Sequence, residues 1–185
     1  MGKKVTQGTP KSIYVIIVVF LVSMFSYAIF LDTPAAEKTV EDFYQAYFTK
    51  DYDTVAKNLS VFWSVQFLPQ YHNHSPKQLI EERAEIEKEI AQIIAQIEGD
   101  AKYPEGLHIE VNSKLTKQTT NSALVGYTFW ENDVPSGMEV AILINENGAY
   151  RIFSMAPANP ADMENISDEN LQILDDDFKS LLELE

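Results

Sequence analysis

Tyr71-His72-Asn73-His74 sets two imidazoles at i and i+2, a spacing that brings side chains to one face only in extended chain. With His108 as a third nitrogen, this trio is the sequence's candidate for a metal centre, since zinc takes its ligands from His, Cys, Asp or Glu. The pair lies directly before Ser75-Pro76, a helix start, where histidine and asparagine serve as ordinary loop residues. A metal site needs ligands converging from a rigid frame. The expected reading is therefore a surface turn, with no metal ligand assigned. Acid–base chemistry needs a carboxylate or imidazole within about 3 Å of the substrate proton. Glu131 and Asp133 follow an apolar strand pattern that contains Tyr127 and Trp130, and Tyr150 lies on a later strand. Glu139 falls on the polar side of its strand, and His108 alternates with Leu107 and Ile109, pointing away from the core. No buried titratable group emerges from these patterns, so no catalytic or cofactor-binding residue is assigned. Apolar binding is the third candidate chemistry. Phe43, Tyr47, Trp63, Tyr127 and Phe129, joined by Phe62 and Phe67, either fill a core or line a pocket, since both are built from large aromatics.

The elements that must position these side chains follow from periodicity. Val40, Phe43, Tyr44, Tyr47 and Phe48 recur on one helical face, after a Thr33-Pro34 start. Asp51 or Asp53 caps a second short helix with Tyr52, Val55, Ala56 and Leu59 on its apolar side. SVFWSVQFLPQYHNHS reads as a partly buried connection containing a helical turn. Ser75-Pro76-Lys77-Gln78 is a capping box, and a long helix over 76–98 follows, stopped by Gly99. Its stripe of Leu79, Ile86, Ile90, Ile93 and Ile97 is expected to pack on the concave face of a sheet. A coiled-coil seam joining two copies is the alternative use.

From residue 107 the period becomes two. LHIEVNSKL is a strand wetted on one face, and SALVGYTFW (122–130) is apolar on both faces, as a central strand should be. MEVAILI (138–144) and YRIFSM (150–155) follow, joined by the hairpin pair Asn147-Gly148. Asp133 to Gly137 supplies the turn before them, which gives an antiparallel meander of about four strands. Residues 157–167 read as a linker, and Ser167 caps a last acidic helix whose carboxylates form a solvated face. That tail lacks the Asp-x-Asp-x-Asp-Gly spacing of a calcium loop.

Ile13 to Leu31 contains no charge. A helix of that length spans roughly 28 Å, the thickness of a bilayer's hydrocarbon. Lys3, Lys4 and Lys11 precede it and every acidic residue lies at or beyond Asp32, so the positive-inside rule puts residues 1–12 in the cytoplasm and the rest outside. A cleaved signal peptide would have a shorter apolar run. The net charge of −14 repels nucleic-acid backbones. With no cysteine, disulfides and thiolate chemistry are excluded, as suits a bacterial envelope protein.

VEDFYQAYFTKDYDTVAKNLS (40–60) carries a likeness. An aromatic first helix, a KDYD turn and an alanine/leucine second helix, followed by an antiparallel sheet, resemble the nuclear transport factor 2-like superfamily over residues 36–156. The resemblance implies a cone-shaped α+β fold with a pocket at its open end. It also implies one of two roles. Some members are isomerases or dehydratases with small apolar pockets, and others are bitopic proteins of secretion machines whose domain only binds partners. The helix over 76–98 and the acidic tail depart from the minimal pattern, and no Asp/His pair matches the family's catalytic residues.

The expected protein is α+β: a transmembrane helix, helices packed on a curved antiparallel sheet, and a C-terminal acidic helix. Residues 1–12 are cytoplasmic, 13–31 form the anchor, 32–156 the extracytoplasmic domain, and 157–185 the linker and tail. Its expected role is a non-catalytic binding or scaffold module for a protein partner or small envelope ligand, with self-association as a possibility. The alternative is a membrane-tethered enzyme of the isomerase/dehydratase type.

Overall fold

The "KD" of that opening stretch is a stop followed by a start. The computed structural model describes residues 35–184, and its first helix, α1 (Ala35–Thr49), ends at Lys50 with φ of 61°. Asp51 N–H reaches the Ala46 carbonyl and Lys50 N–H that of Tyr47, a Schellman closure. Asp51 then caps α2 (Tyr52–Asn58), its carboxylate accepting from the Thr54 N–H and hydroxyl. Ser60 opens the single turn α3 (Val61–Ser64), and two short 3₁₀ turns carry the chain through Tyr71.

The Ser75–Gln78 capping box forms in both directions and starts α4 (Pro76–Glu81). The helix expected over 76–98 is broken. Glu82, at φ −91° and ψ 11°, separates α4 from α5 (Arg83–Glu98). The two halves have different neighbours. α4 lies against α3 and the last helix, whereas α5 lies on α2 and α3. The isoleucine stripe accordingly packs mainly on helices rather than on the sheet. Ile86 and Ile90 are buried with Ala56, Val61 and Leu68, which removes them from any seam between copies.

The sheet has five antiparallel strands rather than four: β1 (His108–Val111), β2 (Lys117–Gln118), β3 (Ser122–Glu131), β4 (Val134–Glu146) and β5 (Ala149–Pro157). The order is β1-β3-β4-β5, with β2 beside β3 beyond a 3₁₀ turn. β3 is central, as its two apolar faces require. The turn expected at 133–137 is tighter. Asn132 and Asp133 both have positive φ, forming a two-residue hairpin, and Pro135 to Gly137 belong to β4. Register slips at Phe129/Trp130 and Ile142/Leu143 bend the strands. At β5, Leu59 bridges Ile152 and Ser60 N–H bonds its carbonyl, so the chain after α2 covers part of the sheet's edge.

Asn147-Gly148 closes β4 to β5 with φ of 53° and 86°. A Cβ on Gly148 would meet nothing within 4 Å, so the position needs glycine for conformation alone. Gly148→Ala is expected to cost about 1 kcal/mol in urea unfolding.

One sheet face packs Ala123, Val125, Tyr127, Ala141, Leu143 and Ile152 against α1 and α2, through Val40, Phe43, Tyr44, Val55 and Leu59. The other face carries Leu124, Val140 and Ile142 under Leu115, Met163 and Leu171. The segment expected as a plain linker holds α6 (Pro160–Glu164), whose Met163 is buried. α7 (Asp168–Leu182) docks by Leu171 and by Phe178 against Phe153. Residues 157–184 therefore belong to the same compact unit as the sheet. The acidic face is not wholly solvated, because Asp175 is buried. Residues 1–34, which include the proposed anchor and the Thr33-Pro34 cap, lie outside the described residues. Among those described, no helix is long and apolar enough to cross a membrane.

Candidate functional site

Helical spacing gives α1 two aromatic pairs. Phe43 and Tyr47 stack with centroids 6.0 Å apart, and Tyr44 and Phe48 are 5.7 Å apart. Tyr103, from the loop before β1, packs on Tyr47 at 5.4 Å and Phe48 at 5.8 Å. Trp63 and Phe67 pack at 4.9 Å on the opposite side. Between these groups and α5 lies a cavity of about 490 Å³. Its wall is completed by Val55, Leu59, Ile90, Ile93, Ile94, Ile97, Leu107, Phe129 and Met155, with Glu98 its single ionisable carboxylate. Phe67 and Ile97, 47% and 70% exposed, leave the rim apolar as well. The C-terminal end of α5 is pinned by the Tyr52 hydroxyl, which donates to the Glu98 carbonyl at 3.1 Å, and by Lys50, which donates to the Gly99 carbonyl at 2.7 Å.

Of the five aromatics expected at a pocket, Phe43, Tyr47, Trp63 and Phe129 line this cavity. Tyr127 does not. It is 0% exposed and lies one layer deeper, behind Tyr44. Phe67 lines the cavity, and Phe62 instead packs with the helical cluster around Val61 and Leu79.

Glu139 corrects the sequence reading. It shares the inner face of β4 with Ala141 and Leu143, directly across from Tyr127 in the register. Tyr127 donates to its Oε2 at 2.7 Å, and Tyr44, 2.8 Å from the Tyr127 oxygen, approaches the same oxygen at 3.4 Å. With the Tyr127 proton committed to Glu139, Tyr44 donates to Tyr127. Burial, before any other cause, pushes both phenols well above their ordinary pKa. They stay neutral donors at any physiological pH. Tyr47 is also pushed up, first by burial and then by the adjoining Tyr103 phenol and Glu98. The cavity thus offers hydrocarbon, aromatic faces and neutral hydroxyls, with Glu98 its one carboxylate.

The remaining candidates are dispersed. The His72 ring is 3.0 Å from the Val65 carbonyl, His74 lies 3.6 Å from Glu82, and His108 stacks on Trp130 with its Nδ1 3.0 Å from the Gly106 carbonyl. Glu131 and Asp133 are exposed at the hairpin tip, and the Tyr150 hydroxyl donates to the Thr119 carbonyl. Among the described residues, no three His, Cys, Asp or Glu side chains converge as a metal site. Compared with protein-family models, with curated proteins and with solved structures, the chain matches none of them.

Proposed function

We propose that the chain is a non-catalytic binding module held at a bacterial membrane by residues 13–31, with residues 32–185 outside the cytoplasm and the aromatic cavity as the seat of a small apolar ligand. The α1–α2 opening and the antiparallel sheet are consistent with a nuclear transport factor 2-like ancestry. The observation that carries the reading is the cavity itself. It has the volume of a ligand site, and its wall is almost wholly hydrocarbon and aromatic. Its mouth keeps Phe67 and Ile97 in water, a cost that an apolar visitor would offset.

Glu139 favours the second reading, a tethered enzyme, because it is a carboxylate on the inner face of the sheet. Two features weigh against it. Glu139 does not line the cavity, and Tyr44 stands between the two.

The test is to purify the full-length chain from its native membrane and extract it for mass spectrometry. Wild type is expected to release an apolar small molecule in stoichiometric amount. Ile94→Trp, which fills the cavity, and Ile97→Asp, which charges its rim at an exposed position, are expected to release less than about a tenth as much. Equal recovery from all three would reject the cavity as a ligand site.

A further inference from the structure

Burial fades along α5. Ile86 and Ile90 are 0% and 1% exposed, Ile93 and Ile94 are half-buried, and Ile97 is 70% exposed. The first half of the helix is fixed among Ala56, Val61 and Leu68. The second half has the cavity on one side and water on the other, so hydrocarbon burial does little to hold it.

The backbone does little to close its end either. Gly99 keeps right-handed angles, φ −56° and ψ −36°, so the left-handed closure that ends many helices is missing. One backbone bond, from the Ala101 N–H to the Glu98 carbonyl at 2.9 Å, follows the last turn. Side chains from the turn between α1 and α2 do the rest. Lys50 donates to the Gly99 carbonyl at 2.7 Å and the Tyr52 hydroxyl to the Glu98 carbonyl at 3.1 Å. The Lys50 ammonium also meets the negative end of the α5 dipole. On the cavity side, Glu98 adjoins the Tyr47 phenol. The turn that supplies Lys50 and Tyr52 is itself well held, since its backbone closes α1 and Asp51 caps α2. Between it and α5 runs a groove whose helix side is Ala91, Gln92 and Ala95, with no large apolar residue among them. A loosely packed wall is thus tied by two hydrogen bonds to a fixed post. Neither Lys50 nor Tyr52 lines the cavity.

We propose that residues 94–99 are the movable wall of the cavity, swinging outward to admit a ligand, and that Lys50 and Tyr52 are positioning residues that latch this wall shut. The assignment rests on the cavity being a ligand site and adds how its occupant enters and leaves. A latch outside the cavity governs entry and exit alike, so loosening it changes rates and spares affinity.

The chain has no cysteine, so an introduced thiol reports alone. Ile94→Cys places one on the wall and Ile86→Cys places one in the fixed half of the same helix. Maleimide labelling of each, in the full-length chain in lipid nanodiscs, reads local opening without any ligand. Lys50→Met and Tyr52→Phe are each expected to speed labelling at position 94 about fivefold, the weight of one lost hydrogen bond, and to leave position 86 unchanged. Lys50→Arg, which keeps a donor, should stay near the unlatched chain's parent. Ligand exchange is read with phenylnaphthylamine, an uncharged apolar fluorophore excited by energy transfer from Trp63 in the cavity wall, with excess empty nanodiscs as the sink. Without the added thiols, Lys50→Met and Tyr52→Phe should each release it about fivefold faster, at an affinity within about twofold of wild type. Unchanged labelling at position 94, or equal acceleration at 94 and 86, sinks the latch whether or not the probe binds. Faster labelling at 94 with unchanged release means that ligands enter elsewhere, so the latch fails and the cavity reading stands. If energy transfer never exceeds that of Trp63→Phe, the cavity is not a ligand site and the gate falls with it.

Discussion

Replacing Arg83 with methionine is expected to cost the domain about 4 kcal/mol. The Glu146 side chain is 0% exposed and pairs with Arg83. Its other oxygen accepts from the Ser60 hydroxyl at 2.6 Å. Methionine keeps most of the arginine's volume and leaves the carboxylate in a dry site with one neutral donor, and that is the expensive way to break a buried pair. Glu87, 3.0 Å from Arg83 and with a side chain only 19% exposed, loses the same partner. Arg151 limits the loss, since it lies near enough to depress the Arg83 pKa after burial itself. Urea unfolding followed by Trp63 and Trp130 fluorescence should show the midpoint falling with little change in slope. Adding Glu146→Gln to Arg83→Met removes the stranded charge and should recover about half of the loss. A single-variant cost below about 1 kcal/mol would mean that the pair is worth no more than a surface bridge.

The same pair shows what could not be read in the sequence. Nothing local marks Glu82 as a break: no proline or glycine interrupts 77–98, and the apolar spacing runs straight through. The helix divides because its halves rest on different surfaces, and those surfaces are tertiary. Glu139 escaped for a different reason. MEVAILI is apolar in both phases of the strand, so alternation cannot say which phase faces in. A turn placed at 133–137 instead of Asn132-Asp133 hides its pairing with Tyr127, which would have drawn attention to the inner-face carboxylate. Signals that act within a few residues were legible. The Ser75 and Ser167 capping boxes, the Asp51 cap and the Asn147-Gly148 turn each depend on backbone geometry fixed by neighbours in the chain. The aromatic face of α1 was legible by period, and with it most of the cavity. The isoleucine wall was seen as a stripe, but its partners were not, because period names a buried face without saying what covers it.

Asp175→Ala should cost about 3 kcal/mol and loosen α7, the second-largest effect expected. Asp175 is 7% exposed, amid a run of acids that otherwise face water. Its Oδ1 accepts from the Asn121 N–H at 2.6 Å and the Ser122 N–H at 3.1 Å, and from the Thr119 hydroxyl. The Asn121 amide donates to Oδ2 at 3.0 Å. One carboxylate thus satisfies the turn between β2 and β3 and ties it to the helix covering the outer face. Burial alone would raise its pKa, but the bonds from Thr119, Asn121 and Ser122 outweigh it and hold the group below the ordinary carboxylate range. A depressed folded pKa fixes the sign. The contribution is complete above the unfolded value of about 3.9 and is lost as pH falls through the lower folded value. The stability gap between wild type and Asp175→Ala should be flat at neutral pH and narrow below about pH 4. Asp175→Asn, which cannot titrate, should lie between the two at neutral pH and lose less than wild type on acidification. A gap that stayed constant through the acid limb would show that the carboxylate's charge contributes nothing at this joint, leaving only the packing of Leu171 and Phe178 to hold α7 in place.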